Sequence, residues 1–416
     1  MKFLLRTHGC RANQYDSEAV RSMLLSAGAR EVTAAEEADV AIFNSCSVTA
    51  AAEAELRKGV RRIARANPAV RTIVMGCAPG LSAREESIAP LRSLPTVTDA
   101  LAGADLDLIA ATLGLQRSSA APVIGIQTGA RALLRIQDGC DEHCTFCATT
   151  LARGSNRSRP VEEIVGEAAG LARSHPEIVL TGIHIGSYGT DTGHTLSSLV
   201  EALVTRVPAA RFRLSSLEAT EVDDRLRELL ADGSRVTPYL HAPLQSGSDR
   251  VLKRMGRHWY TAQTYEARIE RIIGARTVFG LGADIICGFP GETEADHLET
   301  LALVERLPFT SLHVFPYSPR PGAASTRLGE EIGSPIIRRR CSDLLEVSRR
   351  KEAEYKMLRI GGAADVVAVS ASEGLTEDYL SVAVSGPGIR RRDRFHAKLV
   401  VRNGKLAAIP LATLQA

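Results

Sequence analysis

Three cysteines that stand close together in the chain are the residues most able to do chemistry. Cys140, Cys144 and Cys147 lie within residues 139–147, and no fourth cysteine is nearby. Reduced thiolates at this spacing are ligands for a metal ion or an iron–sulfur cluster. Three ligands on a cluster of four irons leave one iron open to bind another molecule. The run is therefore typical of a catalytic centre, with a zinc site completed by His143 as the alternative.

Three further cysteines each come directly after a short apolar run that is typical of a β-strand. Cys10, Cys46 and Cys77 occupy these positions, and helical patterns separate the runs. Because strands that alternate with helices form a parallel sheet, their carboxyl ends meet at one edge. We therefore expect the three thiols to lie together and to hold a second cluster with one open iron. The alternative is three separate buried cysteines, since cysteine is often buried.

The composition is that of an ordinary water-soluble protein with more than one domain. Of 416 residues, 44% are hydrophobic and 24% are charged, and a chain of this length exceeds a single core. No apolar run reaches the ~20 residues that span a bilayer. Residues 1–8 resemble a signal peptide only briefly and lack a cleavage site. We therefore predict a cytoplasmic protein that does not bind membranes and whose eight cysteines stay reduced.

The pattern of apolar and amphipathic segments predicts an α/β protein of three domains. Residues 1–115 are predicted to form an N-terminal parallel-sheet α/β domain. Residues 124–352 contain six strand candidates separated by helical stretches, which predicts a central partial TIM-like (β/α)6 barrel. Residues 353–416 are rich in valine and turn signals, which predicts a small antiparallel β-barrel. We expect strands at residues 3–5, 39–43, 72–75, 131–136, 178–180, 211–214, 239–242, 282–286 and 311–315, helices at 16–27, 50–66 and 335–358, and a linker at 118–122.

Glycine-rich segments follow several strands of the predicted barrel. They are residues 181–186, 241–248 and 287–293, and glycine lets backbone approach a ligand closely. The cysteine run directly follows the first strand, at the face where such barrels keep their active sites. Each glycine-rich segment taken alone is better explained by an ordinary turn, but together they predict a cofactor pocket. The barrel context also disfavours a zinc knuckle.

These motifs resemble those of the radical S-adenosylmethionine (SAM) superfamily and, within it, the methylthiotransferases. The C-x3-C-x2-C spacing, with Phe146 before the last cysteine, is similar to the superfamily motif. The likeness to methylthiotransferases covers essentially the whole chain and includes a C-terminal TRAM-like β-domain. The segments that carry it are residues 9–18, 44–49, 76–77, 153–154, 157–160, 243–248, 288–293 and 316–322.

The resemblance implies a transferase that uses SAM and two 4Fe–4S clusters, one held by each cysteine triad. In such an enzyme one SAM molecule methylates a sulfur carried at the N-terminal cluster. A second SAM, at the barrel cluster, yields the radical that takes hydrogen from the substrate, and the substrate radical then takes up the methylthio group. We expect contacts to SAM from strand ends and from one later arginine: Gly182, Gln245, Ser246, Gly288, Glu292 and Arg320.

The branches of this family differ in substrate. Two modify the adenosine 3′ of the anticodon, in its isopentenyl or its threonylcarbamoyl form, and one modifies an aspartate of a small-subunit ribosomal protein. Residues 10–16 and 313–318 resemble the threonylcarbamoyl branch most, which predicts methylthiolation of C2 of N6-threonylcarbamoyladenosine at tRNA position 37. The chain departs from the family at Ala323, where threonine is usual, and at residues 148–151, where two aliphatics, a proline and an aromatic are usual. Residues 148–151 of this chain are Ala148, Thr149, Thr150 and Leu151.

Basic clusters are the candidates for contact with tRNA, because a net charge of only +3 leaves binding to local patches. A solvated basic face explains the C-terminal cluster equally well, and it is favoured for the helix stripe at residues 57–65 and for residues 338–340. The C-terminal cluster comprises Arg390, Arg391, Arg392 and Arg394, followed by Lys398, Arg402 and Lys405.

The remaining expectations concern partners and alternatives. Cys287 is expected to be buried at a strand end and Cys341 to lie on a helix, neither with a metal role. We expect a monomer that receives electrons from a flavodoxin or ferredoxin. One alternative is a non-enzymatic iron–sulfur RNA-binding protein whose clusters are fully ligated by protein. Another is a radical SAM enzyme of different outcome, with a purely structural N-terminal domain.

Overall fold

The structure, a computed structural model, describes residues 1–47, 49–81, 85–116, 125–274 and 276–411. The linker expected at residues 118–122 lies outside them. Among the described residues, no helix is both long and apolar enough to cross a membrane. The chain divides into two compact units. The first is Met1–Ile124, Gln137–Arg157 and Ser318–Arg327, and the second is Gly125–Ile136, Ser158–Tyr317 and Leu328–Ala416.

The first unit is built on a five-stranded parallel sheet. In spatial order its strands are Arg30–Glu31, Lys2–Thr7, Val40–Ser45, Arg71–Gly76 and Val97–Ala102. The three strands that precede cysteines are therefore neighbours at the centre of the sheet. Val40–Ser45 is buried along its whole length, because apolar side chains of helices pack on both faces of the sheet.

The helices of the first unit connect these strands. Helix Ala50–Ala66 has the predicted bounds, and the Thr49 hydroxyl caps it by accepting a hydrogen bond from the Ala52 N–H at 3.2 Å. The helix predicted at residues 16–27 begins earlier, at Arg11, directly after Cys10. The α-helices are Arg11–Ser26, Ala50–Ala66, Cys77–Leu81, Glu85–Arg92, Leu106–Thr112 and Thr149–Arg153, with 3₁₀ turns at Ala35–Glu37 and Ala324–Arg327.

The second unit contains the six predicted barrel strands, arranged as two parallel sheets of three. We number these strands by their order in the chain. One sheet has the spatial order third, second, first, and the other has the order fourth, fifth, sixth. Parallel bridges from Phe212 to Val236 and from Ser216 to His241 link the two sheets, so the six strands form a partial barrel. In chain order the barrel strands are Ala132–Arg135, Glu177–Thr181, Arg211–Leu214, Tyr239–His241, Gly280–Cys287 and Ser311–Pro316.

Helices alternate with these strands as predicted. Helix Ser334–Arg359 follows the sixth strand and is one residue longer at each end than expected. Short strands at Gln137–Asp138 and Arg157–Ser158 flank the cysteine loop. The α-helices of the second unit are Val161–Ala172, Leu196–Arg206, Asp224–Asp232, Asp249–Arg254, Ala262–Ile273, Glu294–Arg306 and Ser334–Arg359, with 3₁₀ turns at Ile185–Ser187 and Ala219–Glu221.

A closed five-stranded β-barrel ends the described chain. Its strands are Ala363–Ala368, Glu373–Thr376, Ser381–Val384, Arg394–Arg402 and Lys405–Pro410. Neighbouring strands pair antiparallel, except that Ser381–Val384 runs parallel to Lys405–Pro410. Small and medium apolar side chains, mostly valine and alanine, fill its interior. The predicted fold class, with its parallel sheet, partial barrel and small β-barrel, is confirmed.

A buried ionic cluster joins the partial barrel to the β-barrel within the second unit. Glu177 accepts from Arg213 Nε at 2.7 Å, and Arg211 Nη1 reaches Asp365 Oδ2 of the β-barrel at 2.8 Å. Arg213 Nη2 also donates to the Thr376 carbonyl oxygen at 3.0 Å. Burial alone would raise the pKa of Glu177, but the arginines outweigh it and hold this pKa far below its ordinary value. Glu177 is therefore ionised, and the arginines that it binds connect the partial barrel to the β-barrel.

Candidate active site

The structure brings the first cysteine triad together at the carboxyl edge of the N-terminal sheet. Cys10 precedes helix Arg11–Ser26, Cys46 directly follows a central strand, and Cys77 begins a short helix. Cys46 and Cys77 are buried, whereas Cys10 is exposed. The loops of Cys10 and Cys46 are packed so tightly that a Cβ on Gly9, whose φ is +117°, would lie 2.7 Å from Cys46 Cβ. Only glycine fits at this position.

Asn13 holds the loops of this triad in place. Its side-chain amide donates to the carbonyl oxygens of His8, at 3.0 Å, and Ser45, at 2.8 Å. Its Oδ1 lies 3.9 Å from Cys10 Sγ and 3.6 Å from Cys77 Sγ. The fully buried Asn13 side chain thus touches all three cysteine loops. This role was not predicted from the sequence, although Asn13 stands in one of the family-like segments.

Arg153 brings a positive charge to the same triad. The guanidinium, whose side chain is 2% exposed, forms an ion pair with Asp16 at 2.8 Å, and its Nε donates to Cys77 Sγ at 3.4 Å. Burial raises the pKa of the Cys77 thiol to about 11, and Arg153 opposes that shift. Without a metal this thiol keeps its proton, and a metal bound to its sulfur would have to displace that proton.

The second triad lies on a loop that main-chain hydrogen bonds hold in shape. The Cys140 N–H donates to Gly154 O at 3.0 Å, and the Cys147 N–H donates to Cys144 O at 3.1 Å. The N–H of Glu142 points to Cys140 Sγ, and that of Thr149 points to Cys147 Sγ, both at 3.4 Å. Hydrogen bonds to sulfur tune the potentials of iron–sulfur clusters. The loop is therefore suited to three thiolate ligands.

The unusual residue after this triad adds a further contact. The Cys147 thiol and the Thr149 hydroxyl lie 3.0 Å apart, Sγ to Oγ1. In the thiol the sulfur donates, whereas a thiolate ligand would accept from the hydroxyl. An aliphatic residue at position 149 could not form this bond. The departure from the family pattern therefore changes the surroundings of a candidate cluster ligand.

The sulfur atoms of each triad are further apart than the ligands of one tetrahedral ion would be. Within the described part of the chain, neither triad has its three sulfur atoms all within 4.8 Å of one another. A tetrahedral ion with metal–sulfur bonds of about 2.3 Å keeps its sulfurs closer than about 4.6 Å. A single tetrahedral ion would therefore require the thiols of either triad to move closer together. Three thiols are the donor set that an iron–sulfur cluster takes from a protein.

In the second unit, the proposed SAM residues lie at or after strand ends. Half-buried Gly182 directly follows the second barrel strand. Gln245 has a left-handed φ of +63°, and its main chain pairs with Asp284 O at 2.8 Å and Ile286 N at 3.0 Å. Ser246 is buried and lies 3.4 Å, Oγ to Oγ1, from Thr300. Strained backbone of this kind is common at ligand sites.

Glu292 shapes the turn after the fifth barrel strand. Its carboxylate accepts from the Gly288 N–H at 2.6 Å and from Arg340 Nη1 at 2.8 Å. Glu292 and Arg340 are both buried. The expectation that residues 338–340 are solvated is thus wrong for Arg340, because a buried carboxylate lies across from it. Burial raises the pKa of Glu292 despite these donors.

Arg320 lies in the first unit, where its guanidinium forms an ion pair with Glu53 of helix Ala50–Ala66. The Arg320 side chain is 3% exposed. Nearby, the Ser318 hydroxyl accepts from the Ala50 N–H at 3.3 Å. The segment that carries Arg320 therefore packs on the helix that follows Cys46.

Inside the partial barrel, His241, Asp284 and His313 form a polar cluster on the last three strands. Asp284 Oδ1 accepts from His241 Nε2 at 2.9 Å and from His313 Nδ1 at 3.1 Å. Burial would raise the pKa of Asp284, but these two hydrogen bonds hold it well below its ordinary value. Side-chain alternation along neighbouring strands brings the three side chains together. This cluster was not predicted from the sequence.

The C-terminal arginines are largely engaged within the protein. Arg391 donates to the carbonyl oxygen of Thr128, and Arg392 Nη2 donates to that of Gln127 at 2.5 Å. Arg394 pairs with Asp365 at 2.5 Å. Arg390 is exposed, as are Lys398, Arg402 and Lys405. The exposed positive charge of this domain therefore lies mainly on its last two strands.

Comparison with known proteins identifies the family. Residues 2–94 match the uncharacterized protein family UPF0004, and residues 134–304 match the radical SAM superfamily. The threonylcarbamoyladenosine tRNA methylthiotransferase MtaB of Aquifex aeolicus is 31% identical over 402 residues, which cover 93% of this chain and 97% of that protein. The chain belongs to the radical SAM methylthiotransferases. The predicted family and the predicted enzyme class are thereby confirmed.

Other relatives of this methylthiotransferase carry two different substrate names. The protein named MtaB from Thermotoga maritima is 34% identical over 381 residues, 88% of this chain and 86% of its own. A tRNA-2-methylthio-N(6)-dimethylallyladenosine synthase of Mycobacterium bovis is 31% identical over 418 residues, 94% and 80% of the two chains. These identities establish a transferase that uses SAM and iron–sulfur chemistry. They do not determine which modified adenosine is the substrate, because the relatives are named for different ones.

A solved structure shares the fold of this methylthiotransferase. The radical SAM methyltransferase TsrM from Kitasatospora setae, solved with cobalamin and a [4Fe-4S] cluster, superposes with a TM-score of 0.56. Its identity to the chain is 13%, and the match covers 78% of this chain and 76% of that one. At this identity the likeness concerns architecture alone.

Proposed function

We propose that this methylthiotransferase acts on tRNA and adds a methylthio group to C2 of N6-threonylcarbamoyladenosine at position 37. The observation that carries the proposal is the assembly of two complete cysteine triads in one compact unit. Relatives named for this substrate, which match nearly the full chain, support the choice of nucleoside. The family-like runs at residues 10–16 and 313–318 point the same way.

The cysteines would hold two 4Fe–4S clusters. When bound, the clusters and SAM together supply radical chemistry and the sulfur that is transferred. The protein's part is to hold each set of thiolates in shape. Asn13 fixes the loops of the first triad, and main-chain bonds fix the second. The sites are Cys10, Cys46 and Cys77 for one cluster and Cys140, Cys144 and Cys147 for the other.

SAM would bind at the carboxyl ends of the barrel strands. Backbone at Gly182, Gln245 and Gly288 is placed to approach a ligand, and the strained Gln245 is held by two main-chain hydrogen bonds. Glu292 would act through the Gly288 turn that its carboxylate braces. Ser246 completes the proposed set in the second unit, and it is buried. Arg320, which is buried in the first unit, remains a predicted contact to SAM.

The proposed partners follow from the reaction. A tRNA substrate requires exposed positive charge, which the last two strands of the β-barrel provide. A flavodoxin or ferredoxin would supply electrons, and the enzyme would work as a monomer in the cytoplasm, where tRNA is.

Mass spectrometry of tRNA nucleosides from a deletion strain tests the proposal. Loss of 2-methylthio-N6-threonylcarbamoyladenosine, restored by this chain but not by Cys46→Ala, is the expected result. Loss of methylthio-isopentenyladenosine instead would assign the other tRNA branch, which the Mycobacterium bovis relative favours. Unchanged nucleosides together with loss of methylthio-aspartate from the ribosomal protein would overturn the assignment to tRNA.

A further inference from the structure

One five-residue helix contacts a cysteine of each triad. Helix Thr149–Arg153 begins with Thr149, whose hydroxyl lies 3.0 Å from Cys147 Sγ. It ends with Arg153, whose Nε donates to Cys77 Sγ at 3.4 Å. With a rise of about 1.5 Å per residue, its two ends are about 6 Å apart. All of these residues belong to the first unit.

Close packing fixes this helix against the helix that begins at Cys77. A Cβ on Gly80 would lie 2.5 Å from the Ala152 carbonyl oxygen, so only glycine allows the two backbones to touch at this distance. The contact sets the distance between Arg153 and Cys77 through backbone rather than through a flexible side chain.

Two buried partners and one half-buried partner hold the Arg153 guanidinium in one orientation. Nη2 lies 2.8 Å from Asp16 Oδ2 and donates to Asn13 Oδ1 at 2.6 Å, and Nη1 lies 3.4 Å from Asp138 Oδ1. Because the other nitrogens are engaged by these groups, Nε is left to face the Cys77 sulfur. The arrangement is that of a fixed hydrogen-bond donor rather than a mobile surface charge.

We infer that Thr149 and Arg153 are positioning residues that set the reduction potentials of the two clusters separately. Reduction adds negative charge to a cluster and its thiolates, so a donor to sulfur stabilises the reduced state and raises the potential. Thr149 would act on the cluster at Cys147 and Arg153 on the cluster at Cys77. The inference rests on the proposed cluster ligands and goes beyond them, since it assigns a tuning group to each.

The Thr149 contact needs the side-chain hydroxyl. The aliphatic residue that the resemblance to methylthiotransferases implies at this position could not donate to sulfur. Thr150, the next residue, gives a matched control, because its replacement by valine removes a hydroxyl from the same helix without touching this bond.

Potentiometric EPR titration of the barrel cluster, the one proposed at Cys140, Cys144 and Cys147, tests the proposed role of Thr149. It is done on chains that carry Cys10→Ala, Cys46→Ala and Cys77→Ala, so that only the barrel cluster gives a signal. Thr149→Val is expected to shift the midpoint to a more negative potential, whereas Thr149→Ser and Thr150→Val are expected to leave it near that of the parent. Equal midpoint potentials for Thr149→Val and Thr150→Val would overturn the proposed role of Thr149.

The proposed role of Arg153 is tested by the same titration of the N-terminal cluster. It is done on chains in which the three cysteines at 140, 144 and 147 are replaced by alanine. Arg153→Gln is combined with Asp16→Asn, so that no buried carboxylate loses its partner, and is compared with Asp16→Asn alone. The N-terminal cluster is expected to become harder to reduce when Arg153 is lost. An unchanged midpoint potential would overturn the proposed role of Arg153. If the double variant does not fold, Arg153→Leu in the same Asp16→Asn background replaces it, and an unchanged midpoint has the same meaning.

Iron and sulfide content separates this inference from the proposed function. Failure of the parent chains to bind iron at either triad would contradict the cluster sites themselves. Normal iron content with unmoved potentials would contradict only the tuning roles of Thr149 and Arg153.

Discussion

Asn13 donates a 2.8 Å hydrogen bond from its side-chain amide to the carbonyl oxygen of Ser45. The bond ties the residue before Cys46 to the helix that follows Cys10. The Asn44 side chain returns a hydrogen bond to Asn13 O at 2.7 Å. Two loops that are far apart in sequence are thereby locked together, and each carries a candidate ligand of one cluster.

Replacement of Asn13 by alanine is therefore expected to weaken the N-terminal cluster selectively. It leaves the carbonyl oxygens of His8 and Ser45 without this donor, which costs about 1–3 kcal/mol for buried groups. Iron and sulfide per chain should fall to about half after anaerobic reconstitution, with the barrel cluster retained. The control is Asn67→Ala, which removes an asparagine that bonds to Ala35 and Ala38. Full iron content in Asn13→Ala would show that the loops do not need this link.

The Arg340–Glu292 pair is expected to contribute strongly to stability. Replacement of Arg340 by methionine leaves a buried carboxylate unpaired, so the free energy of unfolding should fall by about 3–5 kcal/mol. Binding of SAM should also weaken, because Glu292 braces the turn at Gly288. Urea unfolding and equilibrium dialysis with labelled SAM measure the two effects. Arg338→Ala, at an exposed neighbour, should change the free energy of unfolding by less than about 0.5 kcal/mol. Equal effects of the two replacements would contradict the pairing.

Glu177 predicts a pH dependence of stability. Its folded-state pKa is lowered from 4.5, so its ionised form contributes stability above that pH, and the contribution is lost as the pH falls below it. Glu177→Gln should therefore destabilise the protein by about 3–5 kcal/mol at pH 7 and by progressively less below pH 4.5. Urea midpoints measured across this range test the prediction. The exposed Glu163→Gln is the control and should have little effect at pH 7. A difference that stays constant down to low pH would mean that Glu177 does not act through its charge.

Exposed cations on the last two strands are expected to bind tRNA phosphates. Simultaneous replacement of Lys398, Arg402 and Lys405 by alanine should reduce affinity for tRNA. The slope of log K against log salt should fall by about 2–3 if each residue makes one phosphate contact. Filter binding across a salt series measures both. Arg271→Ala removes an exposed arginine that is paired with Asp224 at 2.6 Å and should leave the slope unchanged. An unaltered slope in the triple variant would place the tRNA surface elsewhere.

The strands, and the cysteines that follow them, could be predicted because both have local signatures in the sequence. Apolar runs marked the six barrel strands, and a cysteine after each of three other runs marked one sheet edge. Strand Val97–Ala102 was missed because it is only partly buried and contains Thr98 and Asp99.

The contacts that complete the candidate site could not be predicted in the same way. Arg153 and Asn13 meet across 140 positions of sequence, and no local pattern encodes such a bond. Arg340 was expected to be solvated because it ends a run of arginines, and its burial depends on Glu292 from a distant turn. The hydroxyl of Thr149 could be recognised as unusual, but its bond to Cys147 needed the geometry of the loop.

The central claim is that the two triads have separate tasks in one methylthio transfer. Its most direct test is an anaerobic reaction of reconstituted enzyme with SAM, dithionite and tRNA that carries N6-threonylcarbamoyladenosine, followed by mass spectrometry. The wild type and the control Cys341→Ala, which lies outside both triads, should form deoxyadenosine and 2-methylthio-N6-threonylcarbamoyladenosine. Cys46→Ala should form deoxyadenosine alone. A methylthiolated nucleoside from Cys46→Ala, or none from the wild type despite release of deoxyadenosine, would contradict the account.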